Sequence, residues 1–215
     1  MKLLIFGSTG GTGRHIVEQA LEQGHTVTAF VRDPSKLDFI HPNLITIQGD
    51  VMNPAAIVPA MHGQDAVLSA LGSPANKVGV LRSQGTKNII DAMESTGVSR
   101  FICQTSLGYG DSLKVLNRTP LIFKYVIVPF ILRKAFKDHE IQESYVKKSK
   151  LDWVIVRPGN LTDAPKTGTY RHGFAATDKN IQVKISRADV ADFMLKQLDD
   201  QTYVHQTPGV SYGKV

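Results

Sequence analysis

Residues 2–13 read KLLIFGSTGGTG, an apolar run from Lys2 to Phe6 that breaks into glycines at Gly7, Gly10, Gly11 and Gly13. Ile16, Val17, Ala20 and Leu21 then recur at helical spacing between Arg14 and Glu22, so the stretch predicts strand, tight turn and helix. Glycine lets a chain turn sharply and lets a ligand approach the main chain, and the helix behind it presents N–H groups with no intrahelical partner. Together these are the parts of a pyrophosphate-binding turn in a dinucleotide fold. Gly7, Gly10 and Gly13 follow GxxGxxG rather than the commoner GxGxxG, so the position between strand and helix carries more weight than the spacing. Ser8, Thr9 and Thr12 add hydroxyl groups, and a turn that binds nothing is the competing reading.

Outward from this turn, Gly24 ends the helix, Thr26–Val31 and Leu44–Gln48 read as the next strands, and Ala66–Leu71, Arg100–Thr105 and Trp153–Arg157 as three more. A helix is expected over Gly85–Glu94. Strands alternating with helices predict an α/β, Rossmann-type, doubly wound parallel sheet forming one domain over residues 1–215. Arg32 follows the second strand, near where such folds place an acid for the ribose 2′-hydroxyl. A cation there suits a 2′-phosphate, with Ser35 and Lys36 adding a donor and a charge, so NADPH is expected over NADH. Asp33 is the opposing signal, since it could hold a free ribose. Asp50 and Val51 follow the third strand and Leu71 and Gly72 the fourth; ligands of open α/β sheets lie outside such strand ends. Asp50 is then a candidate for the adenine amino group with Val51 beside the ring, the alternative for Asp50 being a loop cap.

The net charge of +6 invites nucleic acid as a partner. The cations are dispersed, however, and no helix-turn-helix or zinc-finger spacing accompanies them, which favours a solvated surface and leaves small anions compatible. Cys103 is the only cysteine, which excludes an internal disulfide or thiolate cluster, and the seven histidines form no HExxH pattern, so no metal site is expected. With no signal-peptide pattern after Met1, a cytoplasmic setting is expected. Residues 120–136 are unusually apolar, but Lys124, Pro129 and Arg133 break the run well below the ~18 residues a membrane span needs. A helix packed on the core or in an oligomer contact is the favoured reading, ahead of a pocket wall and a peripheral membrane contact.

GSTGGTG at Gly7–Gly13, VRDPSKL at Val31–Leu37, GDV at Gly49–Val51, Thr105-Ser106, RPGNLTD at Arg157–Asp163, PKTGTY at Pro165–Tyr170 and ISRADVADFML at Ile185–Leu195 together resemble the atypical short-chain dehydrogenase/reductases with NmrA-like and biliverdin-IXβ reductase (flavin reductase) members. The resemblance implies NADPH in an extended pose. It puts Thr105, Ser106 and Pro158 beside the nicotinamide and the acceptor near Ser106 and the loop after the sixth strand. It implies hydride transfer to FMN, FAD, biliverdin or a similar planar acceptor, with an NADP-sensing regulator as the alternative and a nucleotide-linked epimerase as the second. The sequence departs from biliverdin-IXβ reductases at Asn160, where they carry histidine, and in a longer, more apolar 120–136. It also lacks the Tyr-xxx-Lys pair of ordinary members, because Tyr145 is followed four residues later by Ser149. The resemblance makes Ser106 and Asn160 the catalytic candidates, while Glu143, four residues before Lys147, reads as a surface ion pair.

Overall fold

The computed structural model describes residues 1–38, 40–73 and 79–214, apart from the side chain of Phe123. Strand β1 (Lys2–Phe6) lies at the centre of the sheet, paired in parallel with β2 (Thr26–Val31) on one side and β4 (Ala66–Ser69) on the other. β3 (Leu44–Gln48) extends the sheet beyond β2, while β5 (Arg100–Gln104) and β6 (Asp152–Pro158) extend it beyond β4. Beyond β6, β10 (Gly209–Ser211) adds in parallel and β8 (Arg171–His172) closes the edge antiparallel, for an order of β3-β2-β1-β4-β5-β6-β10-β8. β7 (Asn160–Thr162) and β9 (Lys184–Ser186) form a separate parallel pair. This is the Rossmann-type doubly wound fold, with its strand order reversing between β1 and β4.

Successive strand side chains point to opposite faces, and both faces are covered, which is why Leu3, Leu4, Ile5 and Phe6 of β1 are all apolar and fully buried. Leu3 and Ile5 of β1 join the core under α1 (Gly11–Glu22) and α5 (Arg187–Lys196), and Leu4 and Phe6 join the core under α2 (Pro54–Met61), α3 (Leu81–Thr96) and α4 (Arg133–Lys148). Phe101 and Cys103 of β5 face the second core and Ile102 the first. Cys103 is fully buried, its Sγ accepting from Gln142 Nε2 at 3.2 Å.

Element ends differ from the sequence expectation in ways that shape the site. Helix α1 starts at Gly11 rather than Arg14, so half of the glycine motif is already helical. β4 stops at Ser69 and β5 at Gln104, which leaves Leu71 and Thr105 on the rim of the sheet. α3 is longer than expected and ends at Gly97, whose φ of +79° is the left-handed cap that glycine tolerates.

The expectation that 120–136 packs on the core is corrected. Phe123–Leu132 forms a π-helical segment running into α4, and Leu121, Ile122, Tyr125 and Phe130 are 73%, 66%, 60% and 81% exposed. Only the end of 120–136 packs inward, Ala135 being buried and Phe136 lying on Tyr109 with ring centroids 5.5 Å apart; Pro129, which has no N–H to donate, agrees with the widened turn. Among the described residues no helix is long and apolar enough to cross a membrane.

Candidate functional site

A cleft of about 560 Å3 crosses the C-terminal rim of the sheet where β1 and β4 diverge. Its first part is made by backbone. Gly7 has φ +80°, and a Cβ there would stand 2.5 Å from the Ala70 carbonyl oxygen; a Cβ on Gly13 would stand 2.0 Å from that of Gly7. Only glycine allows this close approach. Gly10 donates its N–H to Gly7 O at 2.9 Å and precedes α1 with no side chain capping it, so the first-turn N–H groups remain for a ligand. Gly7, Thr9, Gly10, Gly11 and Thr12 line the cleft, while Gly13 supports the turn from beneath. Ser8 is fully buried and donates Oγ to Ile5 O at 2.7 Å, so it braces the turn instead of facing a ligand.

Toward β2 and β3 the wall carries Phe30, Arg32, Lys36 and Val51. No described residue takes the exposed Arg32 guanidinium. Asp33 is engaged locally: its Oδ1 accepts from Ser35 N at 3.2 Å and Ser35 Oγ at 2.7 Å, its Oδ2 lies 3.9 Å from Lys36 Nζ, and its carboxyl is held below its ordinary value chiefly by the Ser35 hydroxyl. Neither Asp33 nor Ser35 lines the cleft. Asp50 also lies outside the lining, its Oδ1 accepting from Met52 N at 2.9 Å as a loop cap does.

The opposite part gathers Leu71, Gly72, Thr105, Ser106 and Pro158 from three strand ends. Ser106 donates Oγ to Leu107 O at 3.0 Å, which leaves its oxygen free to accept. Asn160 is exposed and lines a neighbouring cavity of about 40 Å3, which adjoins the cleft at Ser106 and Gly159. Tyr145 is half-buried against the core and does not line the cleft.

Behind this wall Glu143 corrects the surface reading. It is buried, and Arg157 grips both its oxygens, Nε to Oε1 at 2.8 Å and the terminal nitrogen to Oε2 at 2.6 Å. Thr105 Oγ1 donates to Oε1 at 2.9 Å, Tyr109 OH at 2.7 Å, and Lys147 Nζ to Oε2 at 2.9 Å. Burial alone would raise its pKa; the Arg157 bonds and charge, with the other donors, bring it down to about 2. Tyr109 is pushed above its ordinary value by burial and by the neighbouring carboxylate. His139 lines the cleft, stacks on Tyr109 with ring centroids 5.9 Å apart, and is brought down to about 4, first by burial and then by the Arg82 cation.

Two lining cations went unread in the sequence. Arg82 donates to Ser73 Oγ at 3.1 Å, tying the loop after β4 to α3. Arg187 crosses Gly11, where a Cβ would stand 2.5 Å from its Cδ, and pairs with Asp163 at 2.6 Å. The available signal was its place as the first residue of α5, because a helix dipole disfavours a cation at that end. Among the described residues no three His, Cys, Asp or Glu side chains are grouped to hold a metal.

A cradle that any Cβ would fill, an uncapped helix end and nearby cations fit a dinucleotide pyrophosphate. The chain is 31% identical over 178 residues to an uncharacterized chloroplastic protein of Arabidopsis thaliana, covering 78% of this chain and 61% of that protein. It is 36% identical over 106 residues to the photosystem II assembly factor Ycf39 of Synechocystis, covering 47% of this chain and 32% of that one. The chain thus spans less than two thirds of the length of these curated relatives. The structure of ChuY, an anaerobilin reductase from Escherichia coli O157:H7, superposes with a TM-score of 0.78 at 24% identity over 98% of this chain and 97% of that one. Residues 7–201 match the family described as NAD(P)H-binding, and the chain belongs to that family.

Proposed function

We propose that the chain is an NADPH-dependent reductase that passes hydride to a planar conjugated acceptor, either a flavin such as FMN or FAD or a bilin such as biliverdin. The observation that carries this reading is the state of the titratable groups around the acceptor part of the cleft. Glu143 is ionised and bound on both oxygens, Tyr109 donates its hydroxyl to that carboxylate, and His139 is neutral down to about pH 4. None of them therefore holds a free acidic proton for an isolated carbonyl. A conjugated acceptor spreads the incoming charge over its own ring and asks the protein mainly for stacking and orientation. The fold shared with an anaerobilin reductase agrees with this demand.

When bound, NADPH supplies the hydride from its nicotinamide ring. The chain's own contribution is binding and orientation. The first turn of α1 and Arg187 take the pyrophosphate, Arg32 and Lys36 the 2′-phosphate, and Val51 and Phe30 flank the adenine. Leu71, Gly72, Thr105 and Pro158 bound the nicotinamide, and Ser106 Oγ accepts from its carboxamide or from the acceptor. The same lack of a free acid favours one second reading, an NADP-sensing binding protein with little turnover. Epimerase chemistry is weaker, for want of the Tyr-xxx-Lys pair. NADPH oxidation followed with FMN, FAD, riboflavin, biliverdin and a quinone, each against a control without acceptor, separates them. Tight NADPH binding without acceptor-dependent oxidation would replace the reductase by the sensor.

A further inference from the structure

The exposed segment after β5 combines two properties that rarely meet on a soluble surface. Leu121, Ile122, Tyr125 and Phe130 stand in solvent, beside an apolar groove of about 420 Å3 between the 3-10 helix Gly110–Arg118 and the π-helical turns. Contiguous apolar surface of this kind marks an interaction site. Residues 112–137 also hold six cations, Lys114, Arg118, Lys124, Arg133, Lys134 and Lys137, and no acid. The chain's net charge is +6, so the positive excess of the whole molecule resides in this one segment and the remainder balances to zero.

The polar side chains of the segment bond within it or to its immediate neighbours. Asn117 Oδ1 accepts from Lys124 Nζ at 2.7 Å, Thr119 Oγ1 donates to Leu116 O at 2.8 Å, and Ser112 Oγ donates to Tyr109 O at 2.7 Å. What faces outward is aliphatic and aromatic surface with cations before and after it, and few groups for directional recognition of a shaped protein partner. A second copy fits poorly, because a two-fold contact would set this acid-free cationic segment against itself. We propose that the face docks in plane on an anionic lipid bilayer, with Leu121, Ile122, Tyr125 and Phe130 entering the headgroup boundary and the cations meeting lipid phosphates. The docked face adjoins the acceptor part of the cleft, since Leu132 and Phe136 share the small cavity with Ser106 and Asn160.

The test is flotation of the full chain with vesicles of phosphatidylcholine mixed with phosphatidylglycerol, beside vesicles of phosphatidylcholine alone. The expected result is binding to the anionic vesicles only, weakening as salt rises. Phe130→Asp, and separately Arg133→Glu with Lys134→Glu, should each cut that binding on the order of tenfold while leaving the thermal midpoint unchanged, because all three side chains are exposed. Three outcomes overturn the proposal: no preference between the two lipids, anionic binding indifferent to both variants, or absent vesicle binding with a dimer in sedimentation velocity that Phe130→Asp returns to monomer.

Discussion

The two ends of the cleft are built by opposite means. At Gly7–Gly13 every part of the turn lies within seven residues and is made of backbone, the side chains being those that leave room. Behind the acceptor end, Glu143 holds partners 14, 34 and 38 residues away, at Arg157, Tyr109 and Thr105, drawn together by charge and burial. A site made by local backbone fails when its space is filled. One made by distant side chains fails when an ion is left alone in the interior. The first kind of damage should appear in ligand affinity and the second in stability.

The largest expected effect sharpens the backbone half. Gly13→Ala puts a Cβ 2.0 Å from Gly7 O, which only a shift of the turn relieves, so NADPH binding should vanish in a titration while circular dichroism still reports a folded protein. Retained affinity would break the contrast at its firmer end. Glu143→Ala probes the other half: it leaves the buried Arg157 guanidinium only Asp111, an exposed carboxylate 2.6 Å from its terminal nitrogen, and should cost up to about 3–5 kcal/mol in denaturant unfolding. Because the Glu143 pKa is depressed to about 2, its contribution is complete above its ordinary value of 4.5 and is lost as pH falls toward 2. Acid unfolding of the variant should therefore flatten across that window.

Arg32→Ala comes next. Losing a charge-assisted contact of about 1.5–3 kcal/mol should weaken NADPH some ten- to hundredfold and leave NADH nearly unchanged. An equal loss for both cofactors would return Arg32 to the solvated surface. The smallest pair concerns rate, measured at saturating NADPH and FMN. Ser106→Ala removes one positioning bond of about 1 kcal/mol and should slow turnover several-fold, while Tyr145→Phe, outside the cleft, should change little. A collapse in Tyr145→Phe with affinity intact would show that a tyrosine acid operates after all.

The same contrast explains what could be read beforehand. β1, the glycine turn and α1 were legible because periodicity and glycine spacing are local, and the other parallel strands because each is a short run rich in apolar or β-branched residues. Glu143 was misread because its one local partner, Lys147 at i+4, is the signature of a surface pair, whereas Arg157 reaches it from β6. Arg82, His139 and Arg187 enter the cleft from helix starts and faces whose orientation only tertiary packing fixes. The apolar stretch 120–136 misled for a different reason: hydrophobicity reports that a surface seeks cover, not that this chain supplies it.

The single thiol gives the molecule an internal clock. Cys103 is fully buried, and burial, followed by the nearby Glu143 charge, raises its pKa to about 12, so the reactive thiolate is nearly absent at neutral pH. An alkylating reagent should then modify the chain only as fast as β5 opens, and the labelling rate reads out that opening one molecule at a time. With no other cysteine in the sequence, the count is free of background.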